Sequence, residues 1–161
     1  KGLTITDIWT NWPKYFSARG GPFSGWGRFK NAVKNKKIKK IRRIGKNIIF
    51  DLSEGREILI HQKMTGHLLV GHWQFKGNKW IAIENELLTE RVNGYIHIMF
   101  FLSDKTMLAL SDLRKFAKVL AIDKKNLKNL EDIKNIGPDP LQSSFKFVQF
   151  KGLISKKRRD C

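Results

Sequence analysis

Apolar residues fall mostly two apart over residues 3–9, where Leu3, Ile5, Ile8 and Trp9 stand among β-forming neighbours, and this predicts a first strand that ends near Pro13. Gly20, Gly21, Pro22, Gly25 and Gly27 mark a loop. Around it, Trp26, Phe29, Ala32 and Val33 recur at three- and four-residue steps, the period of a short amphipathic helix. Ile38, Ile41 and Ile44 give the next strand an apolar side. Further β-rich runs cover residues 47–52, 57–61, 68–73, 95–102, 107–111 and 116–122. The short polar links Ser53-Glu54-Gly55 and Ser103-Asp104-Lys105 read as hairpin turns. Strands this short and this closely spaced predict a mainly β fold, an antiparallel β-sandwich with flanking helices.

After the last strand, Leu127, Leu130 and Ile133 predict a short amphipathic helix within residues 123–136, and Gly137-Pro138-Asp139-Pro140 ends it. The expected organisation is a β-sandwich domain over residues 1–136 and a linker over 137–142. Residues 143–161 then begin a further, helical domain. Ser143 or Ser144 would cap its first helix, whose apolar side carries Phe147, Phe150, Leu153 and Ile154.

Charge narrows the partners. Lys and Arg number 32 against 14 Asp and Glu, a formal net charge of +18, and a field of that size draws polyanions. With 41% hydrophobic residues the chain is too rich in core formers for a disordered basic tail. Its longest apolar run, Ile98-Met99-Phe100-Phe101-Leu102, is far shorter than the roughly 18 residues of a spanning helix, so nucleic acid is the expected polyanion and no membrane partner is expected. Nine Lys or Arg and no acid lie within residues 30–46, a cationic strand suited to phosphates, although most such runs are simply solvated faces. The single cysteine, Cys161, leaves no internal disulfide and no cysteine-based zinc site, which suits a reducing cytoplasm. His61, His67, His72 and His97 lack the helical spacing and acidic partner of a zinc hydrolase, so structural or phosphate-contacting roles are expected and no metal site.

Three local sequences are more specific: Gly45-Lys46 at the head of a β-run, His61-Gln62-Lys63-Met64-Thr65-Gly66 in a turn, and Asp112-Leu113-Arg114-Lys115-Phe116, which sets an arginine and an aromatic two apart. Read alone, Met64 and Phe116 suit a core as well as a groove. Beside a cationic groove, a Met, a Phe and an Arg are what a protein needs to enter a duplex, as apolar wedges and a guanidinium for the vacated base edge.

Followed by Gly137-Pro138-Asp139-Pro140-Leu141, these motifs come in an order that resembles the N-terminal domain of formamidopyrimidine-DNA glycosylase, over roughly residues 30–141. The resemblance implies a base-excision-repair enzyme with a β-sandwich catalytic domain, a linker, a helix-two-turn-helix domain and usually a zinc finger. The chain would hold the first domain and the first helix of the second, truncated at both ends. The implied activity is that of a bifunctional DNA glycosylase and AP lyase. It removes oxidised purines, 8-oxoguanine and formamidopyrimidines, from damaged double-stranded DNA by flipping the base out of the stack. A cytoplasmic, nucleoid-associated monomer is implied, with no cofactor in this chain and zinc only in the absent finger.

By the same resemblance Met64, Arg114 and Phe116 fill the vacated space, with Arg114 facing the orphaned cytosine. Lys46 lies near the lesion's phosphates and assists proton transfer. His61, Tyr95 and Lys157 contact DNA, Tyr95 standing where the family usually has a histidine and His97 following two residues later. Family members begin with proline, whose amine attacks the sugar, and then glutamate. This chain begins Lys1-Gly2-Leu3, which matches the family after its first helix, so the polypeptide alone is expected to be inactive. The alternative is a non-catalytic basic DNA- or RNA-binding module, such as an architectural protein or a ribosomal-type binder stacking bases on Trp9, Trp12 or Trp26. Such a module would bind with steep salt dependence and no preference for damage.

Overall fold

Two four-stranded antiparallel sheets face each other in a computed structural model that describes residues 2–18, 22–83, 86–141 and 143–157. One sheet has the order β1 (Ile5–Thr10), β8 (Ile96–Leu102), β9 (Met107–Asp112) and β5 (Gly66–Gly71). The other has the order β10 (Lys118–Asp123), β4 (Arg56–His61), β3 (Asn47–Leu52) and β2 (Ile38–Ile44). Between them lie Ile8, Phe50, Ile58, Ile60, Phe100, Leu110 and Val119, and helix α2 (Trp26–Val33) adds Phe29 and Val33 to the same core. The antiparallel β-sandwich with flanking helices is therefore the observed architecture.

Each sheet is also covered on its outer side, and this explains why several strands read as continuous apolar runs instead of alternating. Ile49, Leu59, Leu120 and Ile122 are buried beneath Leu127 and Ile133. Ile96, Met99 and Ala109 are buried with Trp73, the first residue of a small hairpin formed by β6 (Trp73–Lys76) and β7 (Lys79–Ala82).

Four expectations are corrected. The strand expected over residues 68–73 is two strands with different partners: β5 ends at Gly71 paired with β9, and β6 starts at Trp73 paired with β7 through a turn at Gly77 and Asn78, both at positive φ. The helix expected within residues 123–136 is a 3-10 segment, Lys124–Asn129, followed by a single α turn, α4 (Glu131–Lys134), with Leu130 extended between them. The three-residue spacing of Leu127, Leu130 and Ile133 suits a 3-10 turn better than the 3.6-residue period. The last strand begins at Lys118, because residues 112–117 form a loop around the Asp112 carboxylate. A short helix that periodicity did not signal, α1 (Lys14–Ala18), follows Pro13, and another, α3 (Glu86–Thr89), follows β7. In the terminal helix α5 (Phe147–Lys157), Phe147, Phe150, Leu153 and Ile154 are exposed. Its first turn is closed by the Lys146 amide donating to Gln149 Oε1 at 2.8 Å, in place of a cap from Ser143 or Ser144.

Candidate nucleic-acid interface

Strand register brings the motif loops to one end of the sandwich. Asn47 and Lys118 both stand opposite His61, so the β2–β3 turn with Lys46, the β4–β5 turn with Met64 and the start of β10 share that end. Gly66 stands opposite Asp112, which brings the β9–β10 loop to the same place.

Asp112 joins two of these loops. Its buried carboxylate accepts from the Thr65 hydroxyl at 2.5 Å, from the Arg114 amide at 3.2 Å and from the Ala117 amide at 2.7 Å. Burial alone would raise its pKa, but the bonds from Thr65, Ala117, Arg114 and Phe116 hold the carboxyl below the usual aspartate value. Close packing adds to the junction: a Cβ on Gly66 would lie 2.4 Å from the Gln62 carbonyl oxygen and 3.0 Å from Ala117 Cβ, so only glycine fits. Lys63 and Lys115, one in each loop, hold positive φ, a conformation that ordinary side chains adopt at a cost. Thr65 and Asp112 were not singled out as site residues from the sequence. An Asp two residues before a receptive backbone amide is the signal of an Asx turn, and it was available.

The scaffold presents its large side chains to solvent. Met64 is 81% exposed and Phe116 48% exposed, far from the near-complete burial of true core residues. Arg114 lies between them, its guanidinium 4.6 Å from the centre of the Phe116 ring and its Nη1 3.8 Å from the Met64 sulfur. Three side chains from two loops thus form one exposed, partly apolar projection with a cation at its centre. Lys115 beside it sits 5.2 Å from the Trp12 ring.

The other sequence-derived residues divide. Lys46 is exposed in a tight turn where Gly45 takes φ 57° and the Ile136 side chain packs against it. His61 is half-buried, with Nδ1 accepting from the Lys63 amide at 3.0 Å. Burial and then the charge of Lys63 lower its pKa, so the ring is a neutral acceptor near pH 7 and a structural element of the turn. Tyr95 is half-buried, and its carbonyl accepts from the Asp112 amide at 3.0 Å. His97, also held neutral by burial and by Lys115, lies with Nε2 3.1 Å from the Asp112 carbonyl oxygen. The side chain of Lys157 lies outside the described residues.

The cationic run is not the free strand that composition suggested. Lys30 and Lys34 pair with Asp7, Lys36 with Glu54, Arg42 with Asp51 and Glu57, and Arg43 with Asp139. Lys37, Lys39, Lys40 and Lys46 have no ion pair among the described residues. The acids that neutralise the others come from distant positions in the chain. The Arg42 site is the deepest. Its Nε lies 3.0 Å from Asp51 Oδ1 and its Nη2 2.7 Å from Glu57 Oε1, and Glu57 is fully buried, its Oε2 without a hydrogen-bond partner among the described residues. Burial, with Asp51 beside it, pushes the Glu57 carboxyl up to about 6.

Comparison with known proteins shows the family and the fold. The family model of the formamidopyrimidine-DNA glycosylase N-terminal domain matches residues 1–119. The formamidopyrimidine-DNA glycosylase of Heliobacterium modesticaldum is 27% identical over 157 residues, covering 98% of this chain and 50% of the relative. That of Pelotomaculum thermopropionicum is 30% identical over 144 residues, covering 89% and 45%. Among solved structures, Lactococcus lactis Fpg (MutM) in complex with Fapy-dG-containing DNA superposes with a TM-score of 0.71 at 21% identity, over 96% of this chain and 50% of that one. MutM in complex with DNA containing carbocyclic 8-oxo-G does so with a TM-score of 0.71 at 22% identity, over 96% and 51%. At these identities the structures show a shared fold. The chain spans about half the length of the relatives it matches.

Proposed function

Because the chain belongs to the formamidopyrimidine-DNA glycosylase family, we propose that it forms the damage-sensing half of a base-excision-repair glycosylase. On this reading it holds double-stranded DNA at a damaged site as a monomer in the cytoplasm. The observation that carries the proposal is the exposed convergence of Met64, Arg114 and Phe116 on the Asp112 junction. A flipped nucleotide leaves a gap whose unstacking costs a few kcal/mol, and apolar wedges with a guanidinium are suited to filling it and occupying the widowed base edge. On this reading Lys46, which has no carboxylate partner among the described residues, meets a backbone phosphate and passes a proton during strand cleavage. Oxidised purines are the proposed substrates, and glycosylase and AP lyase the proposed activities of the whole protein. Among the described residues no group of three or more His, Cys, Asp and Glu side chains could hold a metal ion.

We further propose that this 161-residue polypeptide by itself binds a lesion without forming an imine. Two measurements on this chain test the proposal: affinity for an abasic-site duplex against an undamaged one, and borohydride trapping on 8-oxoguanine opposite cytosine. Preference for the abasic duplex without a trapped adduct is the expected result. Equal affinity for the two duplexes would leave a basic nucleic-acid-binding module in place of a damage sensor, and a trapped adduct would refute the inactivity of this polypeptide.

A further inference from the structure

Beside Asp112, on the outer face of the first sheet, lies a groove of about 480 Å³ between the β6–β7 hairpin and the segment leading into β8. Its volume falls in the range of small-ligand sites. Trp9, Trp80 and Tyr95 supply aromatic walls, Lys79 and Arg91 supply cations, and Asn78 supplies an amide. Among the described residues no carboxylate lines it, and neither Lys79 nor Arg91 has an ion pair. Trp80 is held edge-on against Trp9, with ring centres 5.4 Å apart, and its indole N–H is buried with no hydrogen-bond partner among the described residues. A buried donor of this kind calls for an acceptor. The groove is continuous with the proposed interface, since His97, which also lines it, lies 3.1 Å from the Asp112 carbonyl oxygen.

We propose that this groove receives a nucleotide of a single DNA strand that leaves the duplex beside the Asp112 loop, with the phosphate on Lys79 and Arg91 and the base against the Trp9, Trp80 and Tyr95 walls. The chemistry is that of sequence-tolerant single-strand binding, aromatic surfaces interleaved with cations along a backbone path. The inference rests on the DNA-binding reading above and extends it to a second contact. Nothing in the strand pattern alone pointed to it, because the hairpin that forms one wall was not predicted.

The test uses this chain, a blunt abasic-site duplex and the same duplex carrying a short oligothymidine extension. The extension is expected to tighten binding about tenfold, as stacking on aromatic walls does. A Lys79→Ala/Arg91→Ala double variant is expected to lose that gain while binding the blunt duplex as the parent does. Equal affinity for blunt and extended duplexes, or equal loss on both in the variant, would overturn the proposal. If the blunt duplex shows no damage preference, the glycosylase reading fails while the groove is still decided by oligothymidine alone. Weaker binding by the double variant and a shift of the Trp80 indole N–H resonance support the groove. An unmoved resonance removes it.

Discussion

Thr65 donates its hydroxyl to Asp112 Oδ1 at 2.5 Å, and through this bond the loop that carries Met64 is tied to the loop that carries Arg114 and Phe116. Neither loop could hold its exposed side chains in place alone, since both contain a residue at positive φ and neither buries its own tip.

Replacing Asp112 by Ala leaves the Thr65 hydroxyl and the Arg114 and Ala117 amides without their acceptor. Unsatisfied donors in a largely buried junction cost about 1–3 kcal/mol each before relaxation, so the variant is expected to lose about 2 kcal/mol or more of stability. Urea denaturation measures this. Abasic-duplex affinity should fall further than stability alone explains, whereas Thr65→Val should give a smaller loss of both.

Arg114 acts through shape as well as charge. Its guanidinium lies over the Phe116 ring, and an ammonium at the same place would keep the charge without the planar stack. Arg114→Lys is therefore expected to lose about tenfold in affinity for an abasic duplex, nearly as much as Arg114→Ala, with little change on undamaged DNA. Full retention of affinity in Arg114→Lys would show that charge alone matters there.

Ion pairing within the basic run predicts which cations DNA feels. Lys46→Ala should lower the slope of log affinity against log salt by about one, as expected when a single phosphate is deprived of its cation. Arg43→Ala should leave that slope nearly unchanged, because Arg43 is already paired with Asp139. Equal slopes for the two variants would mean that the internal pairs open on binding.

Glu57 sets a pH dependence of its own. Its folded pKa is raised from 4.5 to about 6, so between those values the native state holds a proton that the unfolded chain has released. The stability from this group is fully present below about 4.5 and is lost as pH rises through 6, by about 2 kcal/mol in all. Asp112, held low, works in the opposite sense, its contribution being lost as pH falls below the ordinary aspartate value. Thermal denaturation between about pH 4.5 and 7 should show the Glu57 slope in the parent chain and its absence in Glu57→Gln.

Much of the fold was legible because it is written in local periodicity. Residues 47–52 match β3 and residues 26–33 match α2, since a short β-rich run and the 3.6-residue step survive whatever else the chain does. The β6–β7 hairpin was less so. Its Trp80 and Ala82 join Trp73 in packing on the outer sheet face, a surface that exists only once the sheet has formed.

The candidate site divides along the same line. From the order of its motifs and its excess of cations the amino-acid chain alone pointed to the family and to the nucleic-acid partner it is proposed to meet, and it singled out Met64, Arg114, Phe116 and Lys46 as candidate site residues. Only the tertiary structure decided that the first three touch, that Asp112 fastens them, that a groove opens beside them, and that five of the nine basic side chains in residues 30–46 are already neutralised by acids. The reason is range. Periodicity and propensity act over a few residues, whereas Lys36 meets Glu54 and Arg43 meets Asp139 only after strand register has brought distant positions together.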